Sequence, residues 1–181
     1  MKINKIEIEG PLVIEPQVFF DSRGYFYEPY NKNKYREAGI SEEFVQDNQS
    51  LSQKGAVRGL HFQAPPYAQG KLVRVVTGSV LDVIVDIRKH SPTYGKSFSI
   101  ELNAENKLIL WVPAGFAHGF STLEDNTIFQ YKCTHMYNKA SEGGVLWNSP
   151  SLKIDWQIED PILSEKDILL PDFEIFETPF I

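Results

Sequence analysis

The sequence predicts an all-β protein, an antiparallel sandwich or barrel of the jelly-roll or Greek-key kind. Three observations carry this. Aromatic residues make up 13% of the chain. Val, Ile, Tyr and Phe recur in short runs broken by Gly, Pro, Asn and Ser, the composition of strands and turns. These runs follow one another at similar spacing, with no helices alternating between them.

Taken in order, residues 1–45 form a less regular arm. Within it, Asn31 to Ala38 suits about two helical turns ended by Gly39. The strand-rich core spans about 46–150. Lys71–Thr77, then Gly78-Ser79, then Val80–Ile87 reads as a hairpin with a two-residue primed turn. Alternation puts Asp82 and Asp86 on one face of the second run and Leu81, Val83 and Val85 on the other, so one side is expected wet and one dry. Ser97–Leu102 and Lys107–Pro113, joined by Asn103-Ala104-Glu105-Asn106, read as a second hairpin. Gly115–Ser121 and Asn126–Tyr137 supply further strands. In the closing arm, 151–181, Ser164 followed by Asp167 resembles the capped opening of a short helix. Both arms are expected to cover sheet edges or pair with a second subunit, because open edges invite association. No repeat or composition break divides the 181 residues, so one domain is expected.

Charge and cysteine content narrow the function classes. Eighteen basic against 24 acidic residues give a net charge of -6, which argues against general nucleic-acid binding. A basic pocket for one small phosphorylated ligand remains compatible with it. The single cysteine, Cys133, excludes an internal disulfide framework and fits a reducing, cytoplasmic setting. No apolar run suits a bilayer, and the first ten residues lack the apolar core of a signal peptide.

Candidate chemistry starts with histidine. His61, His90, His118 and His135 lie far apart, none one, three or four residues from another, so no dedicated metal site is predicted. His90 and His135 sit in turn-like contexts and are expected at the surface. His61 lies in Arg58-Gly59-Leu60-His61-Phe62-Gln63, a polar density unusual for a core strand. His118 is flanked by Ala117 and Gly119, small residues that let another group approach. Arg74 reads as a solvated surface charge. Lys71 opens a hydrophobic strand and shares a face with Val73 and Val75, so it points inward at the mouth, where it could bind an anion or polarise a carbonyl. Tyr131 and Tyr137 either pack, offer a proton, or stack on a base.

Several segments together resemble one family. They are Phe20–Glu28, Phe44–Asn48, Arg58–Gln63, Gly70–Arg74, Asp86-Ile87-Arg88 with Ser91-Pro92-Thr93, Pro113–Phe120 and Leu163–Asp167. In order, over about residues 10–172, they are similar to dTDP-4-dehydrorhamnose 3,5-epimerases. The resemblance implies a cupin-type jelly roll with a few short helices, no metal or other cofactor, and a homodimer. It implies inversion of C3 and C5 of dTDP-4-dehydro-6-deoxy-D-glucose. By position, His61 resembles the base, Asp167 its orienting carboxylate, Lys71 the enolate stabiliser and Tyr131 the acid. Arg23, Glu28, Gln46, Asn48, Arg58, His118, Glu142 and Lys166 resemble nucleotide-sugar contacts, and Tyr137 the aromatic stacked on thymine. Two alternatives accompany this reading: a mono-epimerase acting at C3 or C5 alone, and a nucleotide-sugar-binding cupin without chemistry. On an ideal strand Arg58 and His61 face opposite ways, so a shared ligand requires a bulge at Gly59 or a hard twist.

Overall fold

The computed structural model describes residues 1–181. Its strands are β1 (Lys2–Lys5), β2 (Leu12–Glu15), β3 (Val18–Asp21), β4 (Gly24–Tyr27), β5 (Gln46–Ser52), β6 (Val57–Gln63), β7 (Lys71–Thr77), β8 (Ser79–Asp86), β9 (Ser97–Asn103), β10 (Ile109–Val112), β11 (Phe116–Thr122), β12 (Thr127–Cys133) and β13 (Glu142–Gly144). Two short helices, α1 (Lys32–Glu37) and α2 (Glu165–Ile168), complete the main elements. No helix is long and apolar enough to cross a membrane.

A six-stranded sheet in the order β1-β2-β10-β7-β12-β5 packs on a five-stranded sheet in the order β13-β6-β11-β8-β9. The cluster between them joins Val73, Val75 and Phe129 of the first sheet to Val80, Ile84, Phe116 and Phe120 of the second. This is the jelly-roll sandwich expected from the strand pattern. β3 and β4 form a separate ribbon.

Both expected hairpins are corrected. β7 and β8 lie in different sheets, as do β9 and β10. From β5 to β13 each successive strand crosses the sandwich, except that β8 pairs with β9. Gly78, with φ +79, turns a corner between sheets, and a Cβ there would lie 2.2 Å from Thr127 Oγ1. A glycine turn signal is local; it marks where the chain reverses without choosing the sheet in which the next strand pairs.

The wet face assigned to β8 is also corrected. Every residue of β8 is buried. Val80 and Ile84 face the inter-sheet core, and Asp82 and Asp86, on the same side by alternation, have no exposure. Leu81, Val83 and Val85 face a second cluster that includes Trp156 from the C-terminal arm. The arm dries the side that the isolated strand would leave open.

The short helices follow their caps. Asn31 Oδ1 accepts from the backbone N–H groups of Asn33 and Lys34, Tyr35 is buried, and Gly39 leaves the helix at φ +91. Ser164 Oγ accepts from the Asp167 N–H at 3.2 Å, fixing the start of α2.

The segment joining β8 to β9 is organised by Asp86. Its carboxylate accepts from Arg88 N, Nε and Nη2, and from the hydroxyls of Ser91 and Thr93. Burial alone would push this carboxyl up, but the bonds from Arg88, Ser91 and Thr93 outweigh it and hold it at about 2. A depressed carboxylate stabilises the fold above its ordinary pKa and loses that contribution as pH falls through the folded value. The shift from 3.8 to about 2 corresponds to about 2 kcal/mol. Asp86→Asn should therefore lower unfolding stability by about 2–4 kcal/mol at neutral pH. In denaturant titrations the gap to the wild type should narrow between about pH 4 and pH 2. An equal gap across that window would contradict the assignment.

Candidate active site

A cavity of about 420 Å³ opens between the two sheets. The five-stranded sheet contributes Arg58 and His61 from β6 and His118 from β11, while the six-stranded sheet contributes Lys71 from β7 and Tyr131 from β12. Lys166 and Asp167 of α2 close one side.

The register of β6 explains how Arg58 and His61 share this space. His118 pairs with His61 and Phe120 with Arg58, so one residue on β11 opposes two on β6. That extra residue is a bulge, and it reverses the facing that an ideal strand would impose. Gly59 sits in it at φ +121, where a Cβ would lie 2.5 Å from the Gly119 Cα and 2.8 Å from the His118 carbonyl oxygen.

Within the cavity His61 Nε2 lies 2.5 Å from Asp167 Oδ1. Burial raises the Asp167 carboxyl, but the bond to His61 prevails and holds it below its ordinary value. The partner is thus an anion that fixes the orientation of the ring. The Lys71 ammonium makes no hydrogen bond or ion pair within the protein and lies 5.9 Å from the Tyr131 ring centroid. Burial lowers the Lys71 pKa, opposed by Cys133, Asp82 and Glu142. Burial and Cys133 raise the Tyr131 hydroxyl, keeping it a proton carrier at neutral pH. Arg58 Nε donates to Ser52 Oγ at 3.1 Å, which points the guanidinium along the cavity wall.

A polar chain leads from the cavity to its rim. Lys166 is ion-paired with Glu142 on β13, Glu142 accepts from the Tyr137 hydroxyl at 2.9 Å, and Gln46 Oε1 accepts from the Tyr137 N–H. Gln46 also donates to Asn48 Oδ1 at 3.0 Å, and Asn48 to Cys133 Sγ at 3.6 Å. Tyr137 is 56% exposed, free to stack on a planar group.

The structure thus gathers eleven of the thirteen expected residues into the cavity or this chain. Arg23 and Glu28 stand apart. Arg23 pairs with Asp21 on the β3–β4 ribbon, and Glu28, just beyond it, pairs with Lys34. Sequence reasoning missed Asp82, whose carboxylate meets His118 Nε2 at 2.9 Å inside the sandwich. An aspartate alternating with Val80 and Ile84 was a usable signal, had that face been taken as the inner one. His90 is exposed, whereas His135 is half-buried against Tyr67. Arg74, read as a solvated charge, is half-buried, donating to the Tyr27 hydroxyl at 2.8 Å. No three His, Cys, Asp or Glu side chains converge to hold a metal ion.

In sequence and fold the chain is similar to a set of known proteins. The family profile described as dTDP-4-dehydrorhamnose 3,5-epimerase matches residues 5–174. A Shigella flexneri protein of that name is 54% identical over 93% of this chain and 93% of its own. The crystal structure of dTDP-4-dehydrorhamnose 3,5-epimerase from Elizabethkingia anophelis NUHP1 superposes with a TM-score of 0.92 at 51% identity, covering 96% of this chain and 97% of that one. A dTDP-6-deoxy-D-glucose-3,5-epimerase from Legionella pneumophila, solved in complex with dTDP-4-keto-L-rhamnose, gives 0.94 at 44% identity, covering 97% and 94%.

The bulge at Gly59 makes a direct prediction. Gly59→Ala must push its Cβ against backbone rather than a yielding side chain, so unfolding stability should fall by about 2 kcal/mol or more. A chemical-denaturation midpoint equal to the wild type would show that the bulge tolerates a side chain.

Proposed function

The chain belongs to the dTDP-4-dehydrorhamnose 3,5-epimerase family, and on that footing we propose that it inverts C3 and C5 of dTDP-4-dehydro-6-deoxy-D-glucose, giving dTDP-4-dehydro-L-rhamnose. It is an isomerase of dTDP-L-rhamnose synthesis. The observation that carries the reading is the Lys71 ammonium, free of protein partners, in a cavity with a His61–Asp167 dyad on one side and Tyr131 on the other.

The chemistry follows from the ketone. A hydrogen on C3 or C5 is acidic because the electrons left behind move onto the C4 oxygen. His61 takes that proton, Asp167 steadies the imidazolium formed, and Lys71 donates to the enolate oxygen. Tyr131 returns a proton from its hydroxyl to the opposite ring face. Base and acid stand on different sheets, β6 and β12, which suits attack on two faces of one ring. The phenolate then regains a proton and the imidazolium loses one, restoring the starting state. Arg58 and Lys166 suit the diphosphate, His118, Gln46, Asn48 and Glu142 the remaining polar groups, and Tyr137 the thymine. No metal or other cofactor enters these steps. The buried thiol of Cys133 suits a cytoplasmic enzyme.

Arg23 and Glu28 fit this scheme only if the ribbon serves another subunit. The ribbon exposes Phe19, Phe20, Tyr25 and Phe26, by 74% at Phe20 and 70% at Phe26. Such an apolar patch marks an interaction site. We assign it to a homodimer in which each ribbon reaches the partner's cavity mouth.

Turnover in deuterated water should place deuterium at both C3 and C5; label at one carbon would show a mono-epimerase, and none a binding protein. His61→Ala should reduce kcat by about 10²–10⁴-fold, and Lys71→Met by about 10²–10³-fold, both measured by release of the labelled product. Light scattering should give twice the chain mass, and Phe20→Ser with Phe26→Ser should yield monomers of low activity. Fully active monomers would remove Arg23 and Glu28 from the site.

A further inference from the structure

A second histidine–carboxylate pair sits in the cavity wall: its histidine is counted above among the substrate contacts, and its aspartate has no role in those steps. Asp82 has no exposure, and its carboxylate oxygens lie 2.9 and 3.1 Å from His118 Nε2. No backbone N–H and no hydroxyl bonds to it, in contrast to Asp86 four residues on, which takes five hydrogen bonds. The pair as a whole therefore does little for the fold that two apolar residues would not do as well, since replacing both partners of a buried polar pair by apolar groups is often neutral or stabilising. What Asp82 does define is one ring. His118 is nearly sealed, its plane stacked 22° from that of Phe129. With Nε2 taken by Asp82, Nδ1 has no protein partner, and it is not among the enclosed unpartnered atoms, which are the hydroxyls of Ser50 and Thr122. Nδ1 thus opens onto the cavity, which His118 lines on the sheet opposite Lys71.

We propose that Asp82 is a positioning residue for the epimerisation: it holds His118 by Nε2 and so presents Nδ1, in a fixed orientation, to an oxygen of the bound nucleotide-sugar. This rests on the epimerase reading above. Asp82 touches no substrate in this scheme and acts only through His118. Buried hydrogen-bonded partners of this kind behave as a unit, so their substitutions are strongly non-additive.

Wild-type turnover, measured first, tests the epimerase reading by itself. Given turnover, Asp82→Asn and His118→Asn should each lower kcat/KM by about 10–100-fold, and the double variant should fall no more than about threefold below His118→Asn. Losses that multiply, or a folded Asp82→Asn enzyme with wild-type kinetics, would overturn the proposal. If Asp82→Asn does not fold, the wild type decides. In 15N-histidine spectra, saturation with dTDP-glucose, which has no ketone to react, should shift His118 Nδ1 and leave Nε2 bonded to Asp82. Movement of Nε2 instead, or of neither nitrogen, would reject the assignment.

Discussion

The site depends on a lysine ammonium that no protein group neutralises, held partly buried between two sheets. Its acidic neighbours are otherwise engaged: Asp167 with His61, Asp82 with His118, Glu142 with Lys166 and Tyr137. Burial lowers the Lys71 pKa, while Asp82, Glu142 and Cys133 pull the other way. These groups favour the ammonium from a distance without capping its donors. Its unmet hydrogen-bonding capacity is therefore directed at whatever enters the cavity. An enolate oxygen, poor in donors and rich in charge, makes the strongest demand on such a group, and that demand appears only once the C–H bond breaks.

That arrangement needs a frame able to carry polar groups on its inner surface. The crossing topology supplies it, since consecutive strands fall on opposite walls and residues close in sequence, such as those of β6 and β7, face each other across the gap. His61 and Lys71, ten positions apart, thus meet in one cavity. The bulge in β6 adds a second inward polar side chain where regular alternation would allow one. Gly59 and Gly119 let the two backbones close to a separation no side chain could share. On the far side of the same sheet the C-terminal arm covers β8 with Trp156, and the same arm delivers Asp167 to His61 in the cavity. One segment thus completes both the hydrophobic cover and the His61–Asp167 dyad.

These features were unequally legible in the sequence. Caps are local, so Asn31 with Gly39 and Ser164 with Asp167 announced both short helices. The inward aim of Lys71 was readable because it alternates with Val73 and Val75, and the need for a bulge at Gly59 followed from counting between Arg58 and His61. Strand pairing was not readable, because Gly78-Ser79 has hairpin chemistry whether the chain folds back in one sheet or turns the corner to the other. Period-two alternation separates two faces without naming the dry one; Asp82 was misplaced for that reason, with an arm some seventy residues later deciding the matter. Arg23 and Glu28 enter only by likeness, since nothing local in the sequence marks such side chains as ligand contacts.

On the proposed roles, the two dyads give one pair of residue types different work according to its surroundings. Both join a histidine Nε2 to an aspartate. His61 keeps 28% of its side chain exposed, and hydrogen bonding holds the Asp167 carboxyl below its usual range. His118 keeps 6%, and burial pushes the Asp82 carboxyl up against the pull of His118 and Lys71. A general base must shed its proton before the next turnover, which requires contact with solvent or an acid that has it. His61, the base in the proposed reaction, has that contact. The Asp82–His118 pair has an opening only at Nδ1, which a bound substrate would occupy, so it is poorly placed to cycle protons and well placed to hold a donor or acceptor still. Exposure, more than residue identity, divides the labour between them.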